Sequence, residues 1–320
     1  MKHAKDVELS NKAILPSVEE YILCQNAFQF GCQLYDPDEF DDSDEFDGSD
    51  ESDDPEELEV GGNQVLYYAS LWGLLYSSTF LLRNDVKAQG GYDNALQAAS
   101  AEGHREIAEL LIEKGADVNA QGGRYGNALQ AASAEGHREI AKLLIEKGAS
   151  VNTQGGRYSN ALQAASERGH REIAKLLIEN GAGVNAQGGV DGNALQAASI
   201  YGHPEIAKLL IENGAGVNAQ GGYYGNALQA ASVYGHREIA KLLIENSANV
   251  NFQGADANAQ GRYGNALHAA SVRGHREIAK LLIENGANIN AQGGYYGNAL
   301  QAALARGHLE IAEMLIQNGA

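Results

Sequence analysis

The sequence predicts an all-α solenoid of stacked helix-turn-helix units with finger loops between them. Two observations carry this. The hexapeptide Asn-Ala-Leu-Gln-Ala-Ala begins at Asn94, Asn127, Asn160, Asn193, Asn226, Asn265 (with His268 in place of Gln) and Asn298, in steps of 33 residues except for one of 39. Inside each unit, apolar residues recur at helical spacing between glycine-rich punctuation. Repetition at this period means that each unit buries its apolar face only on its neighbours, so a binding scaffold is the first functional reading.

One unit shows the construction. Asn127 is a strong N-cap, its side chain placed to accept from the first turn of a helix running Ala128 to Glu135. Ala131 and Ala132 are small enough for neighbouring helices to approach closely. Gly136 ends that helix in the left-handed conformation. A second helix follows from Arg138 to Glu146, with Ile140, Leu143 and Leu144 inward and Lys142 and Glu146 outward. In the fourth unit Pro204 follows the Gly-His pair, a position compatible only with a first helical turn. Gly148 stops the second helix, and Gln154, Gly155 and Gly156 form an extended turn into the next unit.

Helix, tight turn, helix and extended loop at this period resemble the ankyrin repeat. Its pattern reads Thr-Pro-Leu-His-x-Ala-Ala, then Gly-His, Leu-Leu and Gly-Ala-x-Val-Asn-Ala. Here Asn-Ala replaces Thr-Pro, Gln replaces His except at His268, and Gly136-His137, Leu143-Leu144 and Gly148-Ala149-x-Val151-Asn152 match directly. The resemblance covers about residues 64 to 320 and implies a protein-interaction surface without chemistry of its own. The variant Asn-Ala-Gln-Gly-Gly-x-Tyr-Gly-Asn-Ala-Leu-Gln-Ala-Ala-Ser is similar to near-identical ankyrin arrays of fungal proteins, often C-terminal to a NACHT-type nucleotide-binding module. Residues 26–38 resemble the connector before such arrays. No Gly-x-x-x-x-Gly-Lys-Ser/Thr occurs in the chain, so the sequence lacks that module's phosphate-binding loop.

The organisation this predicts is an N-terminal segment with one helix (1–35), an acidic disordered linker (36–62), a degenerate first repeat (63–93) and seven repeats (94–320). Ser17 and Glu20 have capping-box spacing before a helix from Val18 to Phe30. Residues 36–59 hold 15 Asp/Glu and no Lys/Arg. Such a run repels itself and has too few apolar groups to offset ordering entropy, so it reads as a spacer. Docking to a basic partner, or phosphorylation at Ser43, Ser49 or Ser52, are sharper alternatives; a calcium loop centred on Gly48 would place Ser43 and Asp54 at its ends, a poor match. Residues 65–82 are 18 long without a charge, enough to raise a membrane helix. Their register against the repeats, Ala69-Ser70 on Ala99-Ser100 and Phe80-Leu81-Leu82 on Leu110-Leu111-Ile112, favours a degenerate end repeat instead. Because that repeat is apolar all round, the 21–35 segment is expected to fold back over it.

Composition narrows the function classes. The net charge of −19 resides largely in the linker; from Asn94 onward 21 acids face 18 bases. No basic stripe is present for a phosphate backbone, so neither nucleic acid nor an anionic membrane is an expected partner. Cys24 and Cys32, eight apart on a helix, would lie roughly 12 Å apart, too far for a disulfide, which needs about 7 Å or less. Free thiols and a polar N-terminus without a signal-peptide core favour the cytoplasm, with the nucleus as the alternative compartment.

Apparent catalytic motifs dissolve in context. Gly181-Ala182-Gly183-Val184-Asn185-Ala186 and its copy at Gly214 match a loose dinucleotide fingerprint, but a helix precedes each and a loop follows, the reverse of what that fold requires. Seven of nine histidines sit in the Gly-His pair, one per unit. Stacked helices lie about 8 to 10 Å apart, so this ladder cannot converge on one metal ion, and backbone hydrogen bonding is the better reading. No cofactor is expected.

Positions that differ among the units mark the binding surface. One set is the pair before the helix-ending glycine, including Glu135, Arg168, Tyr201, Tyr234 and Arg273. The other is the loop position after Gly-Gly or its equivalent: Arg124, Arg157, Val190, Tyr223, Arg262 and Tyr295. In ankyrin-like stacks these positions line the concave groove and finger tips, and Tyr and Arg dominate interface energetics. The next loop position is almost constantly Tyr (92, 125, 158, 224, 263, 296), with Asp191 the exception, and reads as packing between fingers. Six extra residues near Phe252 to Ala257 lengthen one finger, either by a duplication slip or as a specificity loop. The sequence thus predicts a monomeric, non-enzymatic scaffold for an unidentified protein partner. The alternative is the ligand-sensing fragment of a STAND/NACHT-type signalling or innate-immunity-like receptor.

Overall fold

A computed structural model describes residues 62–83, 95–253 and 263–320. The N-terminal helix, the two cysteines, the 21–35 segment expected to fold back, residues 36–61 of the acidic linker, Arg262 and most of the six-residue insertion lie outside the described residues.

Sixteen helices in eight pairs follow one another among the described residues. They are α1 (Gly62–Leu71) and α2 (Leu75–Arg83), α3 (Ala95–Ala101) and α4 (Arg105–Glu113), α5 (Ala128–Glu135) and α6 (Arg138–Glu146), α7 (Ala161–Arg168) and α8 (Arg171–Glu179). The second half continues with α9 (Ala194–Tyr201) and α10 (Pro204–Glu212), α11 (Ala227–Tyr234) and α12 (Arg237–Glu245), α13 (Ala266–Arg273) and α14 (Arg276–Glu284), α15 (Ala299–Ala305) and α16 (Leu309–Gln317). The odd-numbered helices form a close inner row, each packed on the one before and after, and the even-numbered helices form an outer row in looser mutual contact.

The difference between the rows follows from side-chain size. From α5 to α13 each inner helix is Ala-Leu-Gln/His-Ala-Ala-Ser in its first six positions, all buried, and alanines let backbones approach. Outer helices carry an amphipathic pattern: Ile140 and Leu144 are almost completely buried while Arg138, Lys142 and Glu146 face solvent. Each fully buried Leu or Ile contributes about 1.5 to 3 kcal/mol relative to exposure, so a unit's own helix pair cannot be stable until neighbours cover both its faces. The caps form as the sequence implies. Asn127 Oδ1 accepts from the Gln130 amide at 2.8 Å, and Gly136 closes the helix at φ +86°. Pro204 occupies the first turn of α10.

Residues 65–82 form two short helices broken by a turn at Gly73, φ +69°. No helix among the described residues is long and apolar enough to cross a membrane. Leu66 and Ala69 of α1 join the core continuous with the later units.

Three side-chain ladders tie the units together and account for much of the invariant part of the repeat. The histidine ladder runs backwards: His137 Nε2 lies 2.8 Å from the Ala101 carbonyl, His170 2.9 Å from Ala134 and His236 2.9 Å from Ile200, each reaching the preceding unit. The bond therefore links two units instead of bracing one turn. The glutamine ladder runs forwards: Gln163 Nε2 donates to the Gly188 and Gly192 carbonyls at 3.1 and 2.9 Å, closing the base of the next finger. Gln130 and Gln196 make the equivalent bonds. In the asparagine ladder, Asn152 Nδ2 donates to the Gly181 carbonyl at 3.0 Å and its Oδ1 accepts from the Gly183 amide at 2.8 Å. Asn119, Asn185, Asn218 and Asn251 repeat this arrangement. These bonds satisfy backbone groups at turns that helices and sheets leave open.

Candidate partner-binding surface

Each finger is a tight glycine hairpin that projects one variable and one aromatic side chain. Gly155 and Ser159 pair across the base of the third finger, and Gly221 and Gly225 across the fifth. Adjacent fingers also join by backbone, the Arg157 amide donating to the Arg124 carbonyl and the Tyr223 amide to the Val190 carbonyl, both at 2.9 Å. The variable side chains at 124, 157, 190, 223 and 295 are exposed. Tyr295 is 82% exposed and Tyr223 48%.

The tyrosines beside them pack from finger to finger. Tyr125 and Tyr158 stack at 6.3 Å between ring centroids, Tyr224 and Tyr263 lie at 6.3 Å, and Tyr296 lies 6.5 Å from His268. Asp191 divides the row into two clusters, one with Ala134 and Ala164, the other with Val233, Ala269, Val272 and Ala302.

The pair before the helix-ending glycine does not act as one surface. Its first member faces the stack: Ala134, Ile200, Val233 and Val272 are buried, and Glu167 is only 9% exposed. Variation there is therefore largely accommodation within the core, a correction to the reading of both positions as free; Glu167 is the one charged first member, and it lines a depression beside Asp191. The second member is exposed or half-buried, and in four units it is tethered to the tyrosine of its own finger. Tyr125 donates its hydroxyl proton to Glu135 at 2.9 Å, Arg168 Nε donates to the Tyr158 hydroxyl at 3.0 Å and Arg273 to the Tyr263 hydroxyl at 2.7 Å. Tyr224 and Tyr234 share a hydroxyl–hydroxyl bond. Burial and then the Glu135 bond push the Tyr125 phenol far above its ordinary pKa, and burial and then the Tyr234 bond do the same for Tyr224, so both stay neutral. The ten-residue spacing between the two members of each pair was legible in the sequence, but their contact is made only when the finger folds back over the inner helix.

The structure brings the aromatic residues together in the middle of the array. Tyr223 meets Tyr224 edge to face at 4.9 Å, and Tyr224 meets Tyr234 at 5.3 Å. Tyr234 and Tyr201, 42% and 45% exposed, are the C-terminal residues of neighbouring inner helices α11 and α9. Arg273 follows on α13, its guanidinium 5.5 Å from the Tyr263 ring. At the N-terminal side Arg157 and Arg168 lie over the Tyr158 ring at 5.4 and 5.8 Å, and Arg168 also approaches Glu135 at 3.9 Å. Tyr295 stands apart on the last described finger, touching Tyr296. Arg262 belongs to residues not described. The sequence reading met Glu167 only within a variable pair and Asp191 only as the exception in the tyrosine row, and placed neither in the candidate site. The signal that could have found them was the single break in the tyrosine row.

Among the described residues no group of three or more His, Cys, Asp or Glu side chains is arranged to hold a metal ion. The seven Gly-His histidines are committed to the backbone of the preceding unit, and the surface offers aromatic, guanidinium and carboxylate groups suited to recognition.

A rigid, repetitive stack with a variable edge defines a repeat scaffold, and comparison with known proteins gives its family. Models described as ankyrin repeats in three copies match residues 65–155, 121–188 and 162–254, and one described as ankyrin repeats in many copies matches 267–316. The chain belongs to the ankyrin-repeat family. It is similar to the crystal structure of the human ASB11 ankyrin repeat domain, with a TM-score of 0.60 and 26% identity over 70% of this chain and 98% of that one. No curated protein matches the sequence. Ankyrin repeats generally mediate protein–protein interaction.

Proposed function

We propose that this chain is a non-enzymatic, monomeric interaction module that docks a protein segment along the finger edge between the third and sixth units. The observation that carries this reading is the run of Tyr201, Tyr223 and Tyr234, large aromatic side chains left 42 to 48% exposed on a frame that holds them still. A tyrosine has few rotors to immobilise and a large face to bury, and tethering at Tyr234 lowers the entropy lost on binding further. Arg273, Arg168 and Arg157 flank the run with guanidinium groups already oriented on aromatic rings, and Glu135 adds a carboxylate; Arg124 and Tyr295 extend the edge toward the two ends. Solenoids present such extended surfaces because each repeat adds one finger at a fixed offset.

The test is capture of partners from a cytoplasmic extract by the full chain and by a Tyr201→Ala, Tyr223→Ala, Tyr234→Ala variant. Each substitution is at an exposed position, so the variant should keep the parent's circular dichroism and melting temperature. Partners retained by the parent should bind the variant at least about tenfold more weakly, as expected when aromatic anchors are truncated. Recovery of the same partners in equal amount would show that docking lies elsewhere.

A further inference from the structure

The tyrosine row is broken once, and the break leaves a slot. At the fifth finger the Tyr224 ring fills the space between Tyr234 of its own unit and Tyr263 of the next, at 5.3 and 6.3 Å. The fourth finger has Asp191 at that position, so no ring stands beside Tyr201 of its own unit, and the space between Tyr201 and Tyr158 of the finger before is open. A depression of about 180 Å³ remains, lined by Arg157, Tyr158, Glu167, Val190, Asp191 and Tyr201 among others.

Its charges are unbalanced. Glu167 is nine-tenths buried and Asp191 half-buried. Burial raises both carboxyl pKa values, and Asp191 raises that of Glu167 further, so each acid is poorly solvated. Arg157 approaches Glu167 at 3.6 Å, and its field also steadies Asp191. Its side chain is half exposed, however, and Asp191 makes no ion pair of its own among the described residues. Beside the acids stands the Tyr201 ring, 45% exposed, its phenol pushed up to about 12 by burial and then by Asp191 and Glu167, hence neutral.

We infer that this slot receives an arginine side chain of the docked partner, its guanidinium lying against Tyr201 and bonded to Asp191 and Glu167. The inference rests on the docking reading above. The slot replaces a missing flat ring, and a guanidinium is flat, stacks on aromatic faces and forks onto carboxylates, whereas an ammonium is compact and more strongly hydrated. The chain already uses this chemistry next door, where Arg157 and Arg168 lie over Tyr158. Arg157, Arg168 and the Tyr201 hydroxyl already steady Glu167, so a partner arginine would chiefly give Asp191 the ion-pair partner it lacks among the described residues.

The experiment is an amide-resolved NMR titration of the full chain with Nα-acetyl-arginine amide. The neutral isostere Nα-acetyl-citrulline amide and Nα-acetyl-lysine amide are titrated alongside. Saturable shifts at Gly188, Gly189 and Asp191 are expected with the arginine probe, with the lysine probe weaker and the citrulline probe silent. Asp191→Asn should weaken binding about tenfold by removing one charge-assisted partner. Asp191→Tyr should abolish binding while raising the melting temperature, because it completes the aromatic row; that gain separates a filled slot from a damaged fold. Equal binding of the citrulline or lysine probe, unchanged shifts in Asp191→Tyr, or no shifts with the arginine probe would each overturn the assignment. Partner capture by a Tyr223→Ala, Tyr234→Ala variant, which leaves the slot intact, judges the docking reading separately. Lost capture together with a silent arginine probe removes the slot alone, and undiminished capture removes the docking edge.

Discussion

Gly169→Ala is expected to destabilise the array by about 3 kcal/mol, and Gly181→Ala, twelve residues later, by only about 1 kcal/mol. Both glycines have nearly the same left-handed backbone, φ +82° and +84°. The conformational cost to alanine is therefore common to both, about 1 kcal/mol. What differs is the space. A Cβ on Gly181 meets nothing within 4 Å, whereas one on Gly169 would lie 2.7 Å from Cε1 of His203. That imidazole cannot retreat freely, because its Nε2 is held 2.9 Å from the Glu167 carbonyl of the preceding unit. Alanine at 169 would push the ring off that bond and open the interface between two units, and interfaces between units are where a linear array holds its stability. Urea unfolding followed by circular dichroism checks the pair. In Gly169→Ala the transition should also broaden or split, as the stack on either side loses coupling. Equal effects of the two substitutions would mean that the imidazole contact carries no energy.

His268→Gln is expected to stabilise the protein by about 2 kcal/mol and to make it less sensitive to acid. In the third unit Gln163 bonds to carbonyls 25 and 29 residues ahead; counted from 268, the same offsets fall on Gly293 and Gly297. His268 is 1% exposed, and neither ring nitrogen has a hydrogen-bond partner. Restoring glutamine would remove an unsatisfied buried group and add two bonds, worth about 1 kcal/mol each. The pH effect follows from the direction of the shift. Burial lowers the His268 pKa below the ordinary 6.5; the Tyr263 backbone favours the charged ring but falls short of hydrogen-bond geometry, and burial wins. His170 and His275 are also lowered by burial. A histidine whose folded pKa is depressed leaves stability intact above 6.5 and erodes it as pH falls below that value, because the unfolded chain takes up the proton first. The melting temperature of the parent should therefore drop on going from neutral to mildly acidic buffer, and that of His268→Gln should drop less, with His170 and His275 accounting for the remainder. An unchanged acid dependence would show that the His268 pKa is the same in the folded and unfolded chains.

The helices were legible to the residue. Asn127, Gly136 and Gly148 mark starts and stops by capping chemistry that acts within one turn, and the ranges Ala128–Glu135 and Arg138–Glu146 follow from them. Tyrosine packing between fingers was also readable, since a constant aromatic in a loop needs a partner and the neighbouring copy is the nearest one. Less legible was the division of the variable pairs. Ile200 and Tyr201 are adjacent in sequence and equally variable among the units, yet one is buried and the other exposed, because the inner helix ends with one side against its neighbour and the other over the fingers. Nor did variability distinguish a free side chain from a tethered one. Arg168 and Arg273 differ from Glu135 and Tyr234 in chemistry, but all four bond to the tyrosine ten residues earlier.

By itself the sequence determined the repeat, its helices and the stacked architecture, because periodic apolar spacing and caps are local and are written afresh in every unit. Only the tertiary structure decided the rest. It showed that histidine spends its hydrogen bond on the preceding unit and glutamine and asparagine theirs on the following one, and that the single Asp191 opens a charged slot where other fingers hold a ring. The physical reason is distance along the chain. These contacts join residues 25 to 42 apart, so they exist only after one unit has settled on the next.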